Sequence, residues 1–163
     1  MREAMLEALE ELLRETFEGA LPGEGTQYLD HASGIRSTLD QLTAAQASRP
    51  TGHPSIASHV RHMNFHLRMV GEWIAGDHRR RDWKSSFEPR TVTEAEWSSL
   101  KQELEDSRSE FIRVMKSRDS ETFAKEGAGL GAVAHLAYHL GAIRQLMHDV
   151  YNEMRLEHSG GGA

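Results

Sequence analysis

Apolar residues recur every three or four positions in five segments of the chain, which is the spacing of one face of a helix. The pattern predicts helices over residues 2–18, 26–45, 55–75, 93–117 and 129–156. No segment combines the alternating apolar and polar residues of a strand with the turn residues of a hairpin. The sequence therefore predicts an all-α fold.

Local signals mark where several of these helices begin and end. Ser55 is a favourable N-cap for the third predicted helix. Thr93 and Glu96, three residues apart, form a capping box at the start of the fourth. Glycines and prolines in residues 19–25 and 48–54 interrupt the helical pattern and predict loops at both places.

A chain of 163 residues is the length of one ordinary domain. We expect a single helical-bundle domain over residues 1–156, followed by a flexible, glycine-rich tail over residues 157–163. The second to the fifth predicted helices are expected to form a four-helix bundle. The additional N-terminal helix, within residues 1–19, is expected to pack alongside that bundle or to serve in a homodimer.

The composition narrows the possible sites and partners. The chain has no cysteine, so any transition metal must be held by histidine or carboxylate side chains. A formal charge of -6 argues against a nucleic-acid partner. No apolar run approaches the roughly 20 residues of a membrane-spanning helix. Because the N-terminus does not resemble a signal peptide, we expect a cytoplasmic protein that has no membrane partner.

Two groups stand out among the ten histidines. His135 and His139 lie four residues apart on the last predicted helix, which places both imidazoles on one face and suits chelation of one metal ion. On the third predicted helix, His59, His62 and His66 lie on or beside the apolar stripe. An imidazole buried there must be hydrogen-bonded or bind something. Spacing alone does not select one of these three as a further ligand.

Three segments of the chain resemble the DinB/YfiT-like superfamily of metal-dependent four-helix-bundle proteins. They are Ser55 to Met63, the loop Asp82-Trp83, and the segment from His135 to Gln145. The resemblance extends over residues 26–155 and implies an up-down four-helix bundle. It also implies that the metal ligands are His135, His139 and His62, the last of which lies seven residues after the capping serine.

A site of three histidines would hold one divalent transition metal, with zinc or nickel expected, and would keep an open coordination position. The resemblance implies a small-molecule enzyme. The first expectation is an S-transferase, or a related detoxification or stress enzyme, that uses a low-molecular-weight thiol such as bacillithiol, mycothiol or glutathione. A metal-dependent hydrolase is the alternative. Two non-enzymatic alternatives are a homodimeric helical protein with a structural or vestigial metal site, and a binding module that holds an organic ligand.

Four other residues are candidates for roles near the metal. His59 and His66 are candidates for an acid or base, for a group that orients a ligand, or for an alternative ligand; each can equally be a hydrogen-bonded core histidine. Arg144 and Gln145 follow the last histidine by one to two turns and are candidates for binding a substrate carboxylate or amide. They can equally be polar surface residues. No glutamate lies in a local motif that identifies it as a catalytic base.

Overall fold

The computed structural model describes residues 2–23, 25–50, 54–117 and 127–160. Within these ranges the chain is helical and has no strand, which confirms the all-α prediction. The helices are α1 (Arg2–Glu18), α2 (Ile35–Leu39), α3 (Ala44–Ala47), α4 (Ile56–Ile74), α5 (Glu94–Ser117) and α6 (Ala128–Gly160), with a 3-10 turn at Ser85–Phe87.

The four long helices, α1, α4, α5 and α6, enclose one apolar core. Helix α4 packs against both α5 and α6, and α1 also contacts both of these helices. The core takes its side chains from the apolar stripes of all four, and burial of each large side chain contributes roughly 1.5–3 kcal/mol. The largest of the fully buried side chains include Phe17, Met63, Phe111 and Leu136.

The structure corrects the predicted role of the N-terminal helix. Leu9, Leu13 and Phe17 are buried within the shared core, so α1 is one of the four long helices and not an addition to four others. The apolar face of α1 is covered within the chain, and it therefore does not need a second copy to bury it. The homodimer stays a prediction.

The predicted helix over residues 26–45 is wrong, because contacts with α1 hold this segment in another shape. Only the short helices α2 and α3 form within it. The buried Glu15 carboxylate accepts hydrogen bonds from the backbone N–H groups of residues 27–29 at 2.6–2.7 Å. Gly34 lies so close to α1 that a Cβ there would come within 2.4 Å of the Gly19 nitrogen. Because of these contacts, the chain follows an irregular path before it enters α2.

The predicted starts of α4 and α5 are confirmed by their capping hydrogen bonds. The Ser55 hydroxyl accepts from the backbone N–H of Ser58 at 3.2 Å. At the start of α5, the Thr93 hydroxyl accepts from the Glu96 N–H at 3.3 Å, and the Glu96 carboxylate accepts from the Thr93 N–H at 2.7 Å. Each side chain satisfies a backbone donor that has no partner within the helix.

Helix α6 is longer than the sequence predicts. It continues to Gly160, whereas the apolar pattern ends near residue 156. The last residues of the predicted tail, 161–163, and residues 51–53 of the predicted loop over 48–54 lie outside the described ranges. Among the helices that the structure describes, none has the length and apolar character needed to cross a membrane.

Candidate metal centre

Five histidines from two helices meet where α4 packs against α6. Helix α4 supplies His59, His62 and His66, which lie three and four residues apart on one face. Helix α6 supplies His135 and His139. The His62 ring centroid lies 5.0 Å from that of His135 and 4.9 Å from that of His139, and the latter two lie 4.5 Å apart.

Three of these histidines form a group able to hold a metal ion. His62, His135 and His139 each offer one ring nitrogen, and these nitrogens all lie within 4.8 Å of one another. His62 and His139 are buried and His135 is partly buried. The structure thus brings together the three ligands that the resemblance implies. Spacing alone did not choose among the three histidines of α4, and in the structure it is His62 that joins the pair from α6.

The hydrogen bonds of two of the three rings, and the unpartnered nitrogen of the third, are compatible with metal binding. His62 Nδ1 lies 2.6 Å from the Ser86 hydroxyl oxygen, and His139 Nδ1 lies 2.8 Å from His59 Nδ1. These contacts leave Nε2 of His62 and of His139 available to coordinate an ion. His135 Nε2 is buried and has no hydrogen-bond partner among the described residues. Buried polar atoms are normally satisfied, and an ion coordinated by this nitrogen would satisfy it.

Burial keeps the three predicted ligands neutral at neutral pH. Burial, helped by the neighbouring imidazoles, lowers the pKa of His62 to about 4 and that of His139 to about 3. Burial also lowers the pKa of His135. A metal ion binds the same lone pair as a proton, so a neutral imidazole is the form that coordinates it.

His59 and His66 lie on opposite sides of this group. His59 is buried and hydrogen-bonded to His139. The His66 ring stacks on that of His135 instead, and its Nδ1 is buried with no hydrogen-bond partner within the described ranges. Burial, with a contribution from His135 and His62, lowers the pKa of His66 to about 3. His59 is therefore placed to orient a predicted ligand, and His66 to pack against one.

A cavity of about 610 Å³ opens over the three predicted ligands. Besides these and His59, its lining comprises Pro54, Phe87, Tyr138, Ala142, Gln145, Leu146 and Asp149. The lining is mostly apolar, and its described residues include no lysine or arginine. The open position of a bound ion would face this space.

The two substrate-binding candidates on α6 have different positions. Gln145 lies in the wall of the cavity. Arg144 does not line it, and its guanidinium donates to the backbone carbonyl of Ser33 at 3.2 Å. Arg144 therefore ties α6 to the segment before α2, and its position does not support a role in substrate binding.

Two residues of the 3-10 turn, Ser86 and Phe87, contact His62 and were not predicted from the sequence. The Phe87 ring stacks on His62 with centroids 4.1 Å apart and planes 12° from parallel, while Ser86 contacts the edge of the same ring. The Asp82 carboxylate holds this turn by accepting from the N–H groups of Lys84 and Ser85 at 3.0 and 3.3 Å. An aspartate whose carboxylate accepts from the backbone N–H two residues later is typical of such turns, and Asp82 could have indicated one here.

Comparison with protein-family models, with curated proteins and with solved structures found no match to this chain. The resemblance to the DinB/YfiT-like superfamily therefore depends on the sequence segments described above. The helical arrangement and the histidine group supply the remaining support for a function.

Proposed function

We propose that this protein is a divalent-metal-dependent enzyme whose ion is held by His62, His135 and His139. Its small-molecule substrate would occupy the cavity above them. The observation that carries the proposal is the convergence of three imidazoles, with their ring nitrogens within 4.8 Å of one another, beneath a cavity of about 610 Å³. Zinc and nickel both suit a site made only of imidazoles, and the donor set does not separate them.

The arrangement of the long helices supports an extension of this proposal to the fold. Helices α1, α4, α5 and α6 would be the four members of an up-down bundle of the DinB/YfiT-like type. Helix α4 would then carry the single ligand and α6 the pair, in the order that the resemblance implies. The assignment uses α1 in place of the predicted helix over residues 26–45.

The chain contributes more to this site than the three ligands. The apolar side chains of Phe87 and Leu146 bound the cavity and would exclude water from the reacting groups. Gln145 offers an amide to a polar substrate group, and His59 supports His139 through a hydrogen bond. A divalent ion held by three imidazoles supplies Lewis acidity at its open position, where it orients a thiolate or makes water a nucleophile near neutral pH.

Thiol-dependent group transfer is the first candidate reaction, because the resemblance implies it. A metal-dependent hydrolase is the second, and the composition of the cavity favours it. No lysine or arginine is present among the described lining residues to pair with the carboxylates of a thiol such as glutathione. A neutral substrate would not need such a partner.

Metal analysis of the purified full-length protein tests the proposed site. We expect one zinc or nickel ion per chain after loading and removal of free metal. His62→Ala and His139→Ala should each abolish stoichiometric binding. His148→Ala is the matched control, because His148 lies exposed on α6. This variant should bind metal as the unaltered protein does. Unchanged binding in both site variants, or no binding by the unaltered protein, would refute the proposal.

Activity assays on the metal-loaded protein then separate the candidate reactions. One panel combines bacillithiol, mycothiol or glutathione with an electrophile, and a second contains neutral esters and amides. Turnover in the first panel that is lost in His62→Ala supports the transferase. Turnover in the second supports the hydrolase. A stable metal complex without turnover in either panel would overturn the enzymatic part and leave a metal-binding protein.

A further inference from the structure

We infer that Ser86 and His59 are positioning residues that fix the proton of His62 and of His139 on Nδ1 and thereby turn both Nε2 lone pairs toward the metal. This inference rests on the proposed metal site. A neutral imidazole carries one proton, so the position of that proton decides which nitrogen can coordinate an ion. Groups that hold the other nitrogen of a metal-bound histidine also fix the direction of its ring.

Ser86 determines the proton position of His62 through its own single hydroxyl proton. The hydroxyl donates to the backbone carbonyl of Trp83 at 2.6 Å, and a carbonyl can only accept. The contact of 2.6 Å between Ser86 Oγ and His62 Nδ1 therefore requires a proton from the imidazole. His62 Nδ1 donates, and the lone pair lies on Nε2.

The surroundings of Ser86 keep this hydrogen bond in place. Ser86 is only 7% exposed, so water does not compete freely for its hydroxyl. Phe87, the next residue, stacks flat on the His62 ring. The turn thus holds His62 by its edge and by its face: a flip of the ring would break the hydrogen bond to Ser86, and a tilt of its plane would break the stacking on Phe87.

The hydrogen bond between His59 and His139 determines which nitrogen of His139 carries the proton. His59 Nδ1 and His139 Nδ1 lie 2.8 Å apart, so one of the two must donate and the other accept. Because His139 Nδ1 is engaged in this contact, a metal must bind His139 through Nε2. Nε2 of a neutral imidazole carries a lone pair only when the proton is on Nδ1. His139 is therefore the donor and His59 the acceptor.

Substitutions at Ser86 test the first half of the inference through metal affinity. Loss of such an outer hydrogen bond typically weakens metal binding by roughly 10- to 100-fold. We expect this change in the zinc dissociation constant of Ser86→Ala, measured by competition with a chelator. Ser86→Thr retains a hydroxyl and should restore most of the affinity. Ser85→Ala is the matched control, since Ser85 is exposed and its hydroxyl donates to the Asp82 carbonyl at 3.0 Å.

A parallel pair of substitutions tests His59. His59→Leu removes the acceptor for the His139 proton and should weaken zinc binding by a similar factor. His59→Asn places a carbonyl oxygen near the position of Nδ1 and should restore much of the affinity. Equal affinity in the leucine and asparagine variants would overturn this half of the inference.

The tautomers themselves are measurable in the metal-free protein by long-range proton–nitrogen NMR of the imidazole rings. We expect His62 and His139 to carry their protons on Nδ1, and His62 to lose this preference in Ser86→Ala. A proton on Nε2 of either residue in the unaltered protein would overturn the inference. The spectrum of the unaltered protein needs no bound metal, so it decides the half of the inference that concerns Ser86 and His62 even if the proposed metal site fails.

Discussion

The imidazole of His66 lies flat against that of His135, with ring centroids 3.7 Å apart and ring planes 11° from parallel. His66 is also buried enough that its Nδ1 lacks a hydrogen-bond partner among the described residues. The stacking, together with the absence of His66 from the group of three close ring nitrogens, assigns His66 to the packing around a predicted ligand. These two features separate it from His62, which lies on the same helix but within the group of three.

Replacement of His66 by phenylalanine should preserve metal binding. His66→Phe keeps an aromatic ring against His135 and removes the unsatisfied nitrogen, whose burial costs roughly 1–3 kcal/mol. We therefore expect one ion per chain and a rise in the free energy of unfolding of the metal-free protein. His62→Phe is the matched control and should abolish metal binding. Loss of the ion in His66→Phe would identify His66 as a ligand.

The metal-free protein should become less stable as the pH falls from about 7 to about 5. The pKa of His62 is about 4, and those of His66 and His139 are about 3, against 6.5 in an unfolded chain. Within this pH range the unfolded chain binds more protons than the folded one. Folding stability therefore decreases with falling pH, by up to about 1.4 kcal/mol per pH unit for each such histidine.

Denaturant titrations of the metal-free protein at several pH values measure this slope. His66→Phe should show a shallower dependence, because it removes one of the buried groups. Saturating metal should raise the stability but leave this slope in place, since the folded chain keeps the ligands unprotonated with or without the ion and the unfolded chain still takes up protons. A stability that stays constant across the whole range would contradict the account of buried, neutral histidines.

Glu15 should contribute strongly to stability through the loop that follows α1. Burial raises the pKa of Glu15, but the backbone N–H groups of Leu29, Tyr28 and Gln27 outweigh that effect and lower it overall. Its contribution is thus present above the unfolded pKa of about 4.5 and is lost in acid. Glu15→Gln should lower the free energy of unfolding at neutral pH by about 2–3 kcal/mol.

The control for this measurement is Glu7→Gln, at an exposed position of the same helix. A substitution on the surface should change stability by less than about 0.5 kcal/mol. Equal effects of the two substitutions in denaturant titrations would show that the carboxylate of Glu15 does not hold residues 27–29.

Two glycine-to-alanine substitutions should change stability in opposite directions. A Cβ at Gly34 would come within 2.4 Å of the Gly19 nitrogen and 2.7 Å of the Phe17 carbonyl oxygen, both of which are backbone atoms. Gly34→Ala should therefore destabilise the protein by at least about 1–3 kcal/mol. A Cβ at Gly141 meets no described atom within 4 Å, and Gly141→Ala should stabilise α6 by roughly 0.5–1 kcal/mol. Thermal unfolding of both variants checks these signs, and a tolerated Gly34→Ala would contradict the close packing against α1.

The parts of the fold that the sequence predicts are those governed by local pattern. The apolar stripe from Ile56 to Ile74, together with the caps at Ser55 and Thr93, is sufficient to place α4 and the start of α5. The segment over residues 26–45 depends on Glu15 and on the approach of Gly34 to α1. Those contacts are distant in the sequence, so no local pattern indicates them.

The candidate site also combines residues that a local pattern predicts with residues that no local pattern indicates. The pair His135 and His139 follows from one helical turn of spacing, whereas His62 required the resemblance. Ser86 lies 24 residues from His62 in the sequence and reaches it only because the 3-10 turn packs against α4. Helical periodicity cannot indicate a contact made by an irregular segment.

Crystals of the full chain grown with zinc, with diffraction recorded on both sides of the zinc absorption edge, would show whether the three histidines hold the ion. We expect one anomalous peak per chain, about 2.0–2.1 Å from Nε2 of His62, His135 and His139. A peak held by other side chains, or no peak at these three histidines in zinc-saturated crystals, would contradict this expectation.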